Sequence, residues 1–146
     1  MKTVPWWLAT VLSMSGALTL PLAAQQTVPP VAVAGLNLID AGRVDSALAL
    51  WAGSEAFGDQ ERQQITASAP MFRQACGAVS GHEFLRTVEI VPHVERLYLV
   101  VRCAVRPVFL MLALYEAPTG WKVTALNWST DPDRVLPASF FGMQRP

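Results

Sequence analysis

From residue 85 onward, apolar side chains recur at every second position, and the runs are joined by connections too short for anything but hairpins. Residues 85–91, 97–105, 108–116 and 121–129 read as four strands. Between them lie Pro92-His93-Val94-Glu95, Arg106-Pro107 and Ala117-Pro118-Thr119-Gly120. Parallel neighbours would need crossovers of roughly a dozen residues or more, so these connections force an antiparallel meander.

Upstream the period is helical. Residues 31–40 are rich in Ala, Val and Leu and stop near Gly42, which suits a left-handed helix end. Val44, Ala47, Leu48 and Trp51 then form the apolar stripe of a second helix. Residues 59–67 are polar and helix-compatible, and Pro70 breaks them from a short further piece that Gly77 ends. In that piece Met71, Phe72, Ala75 and Cys76 share a face, so Cys76 is expected to point inward. Helices followed by a meander give an α+β fold, with the N-terminal helices packed on one face of a curved four-stranded antiparallel sheet. A single domain is expected over residues 31–130, after a short leader at 25–30 and before an irregular tail at 131–146.

Leu38-Ile39-Asp40-Ala41-Gly42, followed by an Ala- and Trp-rich helix, carries a resemblance, as does the hairpin from Tyr115-Glu116 into Gly120-Trp121-Lys122-Val123. Over about residues 33–130 the chain resembles the α+β superfamily typified by nuclear transport factor 2, and within it small exported bacterial domains. The resemblance implies a fold and little function, because this architecture hosts enzymes, carriers and assembly domains alike. An enzyme of this kind would place an acid or base among apolar residues on the cupped face. Only Asn127 and Arg86 are expected there, and neither is a convincing general base.

The turn lengths predict a register, and register decides faces. With Arg106-Pro107 as a two-residue turn, Val105 pairs with Val108, Cys103 with Leu110 and Val101 with Leu112. With four residues closing the last hairpin, Glu116 pairs with Trp121 and Leu114 with Val123. One face is then continuously apolar, runs from Leu97 to Val105 and from Val108 to Leu114, and adds Val123 and Ala125. It is the face expected to meet the helices. The other carries Phe109, Met111, Leu126 and Trp128 as cross-strand neighbours. A large apolar patch on a solvent-side face marks a partner surface, and Trp128 is its expected anchor. The alternative is that Leu136, Phe140 and Phe141 of the tail fold back over it.

The N-terminus predicts the compartment. Lys2 precedes an uncharged apolar run at residues 4–24 that ends in Pro21-Leu22-Ala23-Ala24, before Gln25-Gln26. A positive start, apolar middle and small-residue end are the layout of a cleaved export signal, expected here at residues 1–24. The rival is a retained anchor, since about 20 apolar residues span a bilayer. Pro5, Pro21 and four hydroxyl residues inside the run favour cleavage, with no stable membrane insertion afterwards. The mature domain is expected in the periplasm or outside the cell. There Cys76 and Cys103, the only two cysteines, are expected to pair as a disulfide. The alternative is two buried thiols.

Other chemistry is sparsely signalled. The formal net charge is zero, which gives no field to concentrate nucleic acid. Hydrophobic residues make up 52% and charged residues 15%, far from a disordered composition. His82 and His93 fall in expected turns without metal-ligand spacing, and Asp131-Pro132-Asp133 reads as a turn. No phosphate loop or nucleophile elbow is present in the sequence. No catalytic residue, cofactor or metal site is expected. The sequence supports a non-enzymatic domain whose sheet face binds an envelope protein or a second copy of itself. A carrier for a small apolar ligand is the first alternative, and an isomerase- or dehydratase-type enzyme the second.

Overall fold

The computed structural model describes residues 27–142. The expected export signal and the first residues of the leader lie outside the described residues.

Four helices precede four strands: α1 (Pro30–Asp40), α2 (Val44–Ala52), α3 (Asp59–Ala67), α4 (Ala69–Cys76), β1 (Val79–Val91), β2 (Val94–Cys103), β3 (Val108–Ala117) and β4 (Gly120–Ser129). The sheet order is β1-β2-β3-β4, all antiparallel. The fold is therefore α+β, with the helices on one face of a meander. Proline opens α1 and falls in the first turn of α4, where a missing N–H costs no intrahelical bond. Gly77, at φ 69°, ends α4 in a conformation that side chains resist. The α3 helix buries no residue. Its start is capped by the Glu61 carboxylate, which accepts from Gly58 N–H at 3.0 Å.

The main core lies between the helices and one sheet face. It contains Leu36 and Ile39 of α1, Leu48 and Trp51 of α2, and Phe72 and Cys76 of α4. Opposite them stand Leu97, Leu99 and Val101 of β2 and Val108, Leu110, Leu112 and Leu114 of β3, all essentially inaccessible. Trp51 holds α1 against α2: its indole N–H donates to the Val31 carbonyl at 3.1 Å. A Cβ on Gly35 would overlap that indole, so only glycine permits the approach.

The strands extend and shift what the sequence predicts. β1 begins at Val79 instead of residue 85, because Val79 pairs with Cys103 and the strand then follows β2 through three irregularities. Those bulges hide the alternation in the sequence. The β2–β3 turn is not the expected two-residue Arg106-Pro107. β2 ends at Cys103, Val101 pairs with Val108, and residues 104–107 form the connection. The reason lies in the linker after α4. Ala104 N–H donates to Ala78 O and Val105 N–H to Cys76 O, so this backbone bonds to the helix–strand connection and not across the hairpin. The register moves by four residues. Because four is even, the β2 and β3 side chains keep their expected faces, and only Val105 leaves the core face, at 63% exposure.

Cys76 and Cys103 form a disulfide with a Cα–Cα distance of 4.8 Å, as the sequence predicts. It ties the last helix to the end of β2, beside the Cys76–Val105 backbone bond. For a sequence separation of 27 residues, closing the loop removes chain entropy worth about 3.5 kcal/mol. Cys76→Ala with Cys103→Ala is expected to lower the unfolding free energy by about that amount. Urea denaturation of the oxidised protein and the double variant measures it. Equal midpoints would show that the bridge adds nothing.

Candidate functional site

Of the four residues expected to share an outer face, the structure keeps two together and turns the other two inward. The last hairpin starts in the predicted register, with Glu116 opposite Trp121 and Leu114 opposite Val123. The register then shifts between Ala113 and Leu114, so that Ala113 pairs with Ala125 and Thr124 is the extra residue. One inserted residue exchanges the faces of everything beyond it. Leu126 pairs with Leu112 and Trp128 with Leu110, so both face the helices. Ala125, expected inward, now lies outward.

Phe109 and Met111 stay on the outer face and are not bare. With Tyr98 and Val88 they pack against Val135, Leu136 and Phe140 of the tail. The Phe140 ring lies 5.1 Å from that of Tyr98, and the Arg86 guanidinium sits 4.4 Å over it. The tail folds through two short 3-10 turns, Pro132–Arg134 and Ala138–Phe141. Arg86 and Asn127, the two polar groups expected in the cup, both belong to this outer side. Asn127 Nδ2 donates to Arg134 O at 3.1 Å.

Trp128 instead joins α4. Its ring meets Phe72 edge-on at 5.0 Å, and its indole N–H donates to Ser68 Oγ at 3.2 Å. Beside it runs an open groove of about 550 Å³. One wall is helical: Gln64 and Ile65 of α3, then Ser68, Met71 and Ala75. The other is Leu126, Asn127, Trp128, Ser129 and Thr130, with Arg134. Leu126 and Trp128 point to the inner face, Asn127 and Ser129 to the outer. A cavity lined from both faces of one strand lies across that strand's edge. β4 is an edge strand, so half of its backbone donors and acceptors point away from the sheet. Among the described residues no hydrogen bond from a neighbouring segment covers them. Two smaller depressions adjoin it, one sharing Met71, Ala75 and Thr130, the other Gln64, Ile65 and Leu126.

The sequence reading misses this groove, because it carries a strict alternation through Thr124; the spacing of the polar Thr124 and Asn127, three residues apart, is the signal of the bulge. It also misses the charged end of the inner face. There Glu89 pairs with Glu95, and Glu95 with Leu114. Burial, then the nearby charges of Glu89 and Glu116, hold the Glu95 carboxyl above the usual range. His93, at φ 69°, places Nδ1 2.8 Å from Glu116 Oε2. His82 lies within β1 and not in a turn, with Nδ1 2.9 Å from Asp40 Oδ1. Among the described residues no cluster of three such side chains has metal-binding geometry. Asp45 and Glu55 shift the other way, lowered first by the hydrogen bonds of Arg73 and Lys122. No family model, curated protein or solved structure matches this chain.

Two outcomes are expected. Trp128→Ala removes a packing partner of Phe72 and should cost about 3 kcal/mol of stability, leaving the oligomeric state unchanged. Denaturation with light scattering separates the two effects, and a lost dimer at unchanged stability would restore the outer-face reading. Glu95→Gln should be more stable than the parent at neutral pH. The folded state favours the protonated Glu95, so it binds more protons than the unfolded chain, and stability falls as pH rises through the carboxylate range and up to the raised folded value. The advantage of the variant should vanish in acid, where Glu95 is neutral in both states. An advantage independent of pH would refute this.

Proposed function

We propose that the mature chain is an exported interaction domain of the nuclear transport factor 2-like kind, without catalytic chemistry of its own, that binds a protein partner along β4. The observation that carries this reading is the groove straddling a free sheet edge, walled by α3 and α4. Met71, 62% exposed on that wall, offers an unspent apolar contact. The interior supports a binding role at the surface: Trp51, Phe72 and the leucines of β2 and β3 fill the space where a carrier would hold its ligand.

Export is supported by the residue pattern at 1–24 and by the Cys76–Cys103 bridge, since disulfides persist in oxidising compartments. Among the described residues no helix is long and apolar enough to cross a membrane. The zero net charge favours protein over nucleic acid as the partner.

Replacing Met71 by the photoreactive residue benzoylphenylalanine, in the cell that exports the protein, tests the site. Illumination is expected to give a discrete covalent adduct with a second polypeptide. The same replacement at Thr119, in the β3–β4 turn, is the control and should give none. Absence of an adduct from position 71 would remove the groove as the docking surface.

A further inference from the structure

The two ends of the groove differ in charge. Where β4 runs out at Thr130, the cavity and its neighbour are lined by Arg134 and Arg106. Arg106 has no ion-pair partner among the described residues, and Arg134, 78% exposed, reaches Asp131 only at 3.6 Å through Nε. Among the described residues that line these depressions the one acidic side chain, Glu61, lies at the opposite end, where its carboxylate already accepts from Gly58 N–H. Between the ends, Ile65, Met71, Leu126 and Trp128 supply apolar surface.

Resting on the docking site just proposed, we infer that the partner contributes one extended segment, which adds to β4 as a further strand. Its alternate apolar side chains enter the groove, and an acidic residue at one end meets Arg106 and Arg134. The free backbone of β4 provides the affinity of strand addition, and the apolar wall and the arginines provide its selectivity and direction. From Leu126 to its end at Ser129 the strand offers four residues along the groove, a span of about 14 Å. The other edge is a poorer template. β1 is interrupted by three register shifts and carries Glu83 and Glu89, features that blunt an edge against pairing.

The probe is a phage-displayed library of random decapeptides, selected on the disulfide-bonded mature protein. Enriched sequences are expected to alternate apolar and polar residues and to carry Asp or Glu at one end. Fluorescein-labelled synthetic copies then report affinity by polarisation. Methylating alternate backbone nitrogens should weaken binding about tenfold or more, because strand addition needs those N–H groups. Arg106→Gln with Arg134→Gln should weaken it about tenfold and flatten its salt dependence. Met71→Asp, a change at an exposed position, should weaken it similarly. Three results would overturn the inference: no enrichment; enriched peptides of helical period that ignore N-methylation; or self-association of the protein that excludes peptide, which would make a second copy the occupant. If a photo-adduct forms at position 71 and no backbone-dependent peptide is found, the groove stands as a docking site and strand addition falls. If neither is seen, both fall.

Discussion

The one extra residue at Thr124 decides what both faces of this sheet can do. Without it, Leu126 and Trp128 would stand outside with Phe109 and Met111. With it, Trp128 reaches Phe72 and Ser68, and α4 gains a sheet-side partner beyond the main core. A bulge costs a local break in the ladder and bends its strand. Here that cost is offset by two large side chains delivered to the helix side. The same change of face leaves the outer side with an apolar area small enough for the tail to cover.

The disulfide and the linker act on the same joint. Cys76 ends α4 and Cys103 ends β2, and the backbone between them exchanges two further hydrogen bonds with residues 104 and 105. That joint sets the β2–β3 register, and the register sets which leucines meet Trp51 and Phe72. It also fixes Val105 and Arg106 at the mouth of the groove. The bridged joint thus places the basic end of a surface whose remaining walls mix half-buried side chains, such as Ile65, Leu126 and Trp128, with exposed ones, such as Gln64, Met71 and Asn127.

The three layers have unequal claims on the molecule. Helices and inner face share an apolar core, and among the described residues no polar or charged residue is buried. The tail adds a thinner apolar layer around Tyr98, Leu136 and Phe140. Charges collect at the rims: Glu89, Glu95 and Glu116 at one end of the inner face, and the two arginines beside Thr130. Binding at a rim suits this distribution, because the middle of each face is already occupied by the protein itself.

The sequence alone determined the element order, the antiparallel meander, the helix breaks at Gly42 and Pro70, and the pairing of its two cysteines. These follow from local rules: period, turn length, and the backbone restrictions of glycine and proline. It also assigned the faces of β2 and β3 correctly from a wrong turn, because an error of four residues preserves the two-residue alternation. What it did not determine was the fate of Leu126 and Trp128. An error of one residue reverses a face, and the mark left by the bulge that causes it is small: in Val123 to Trp128 the polar Thr124 and Asn127 stand three apart, out of step with a two-residue period. The tail cover and the groove likewise depend on contacts between segments far apart in the chain: Phe140 on Tyr98, Trp128 on Ser68, Thr130 beside Arg106. Only the tertiary structure decided those, since local preference sets what each segment forms and long-range packing alone sets which surfaces remain free.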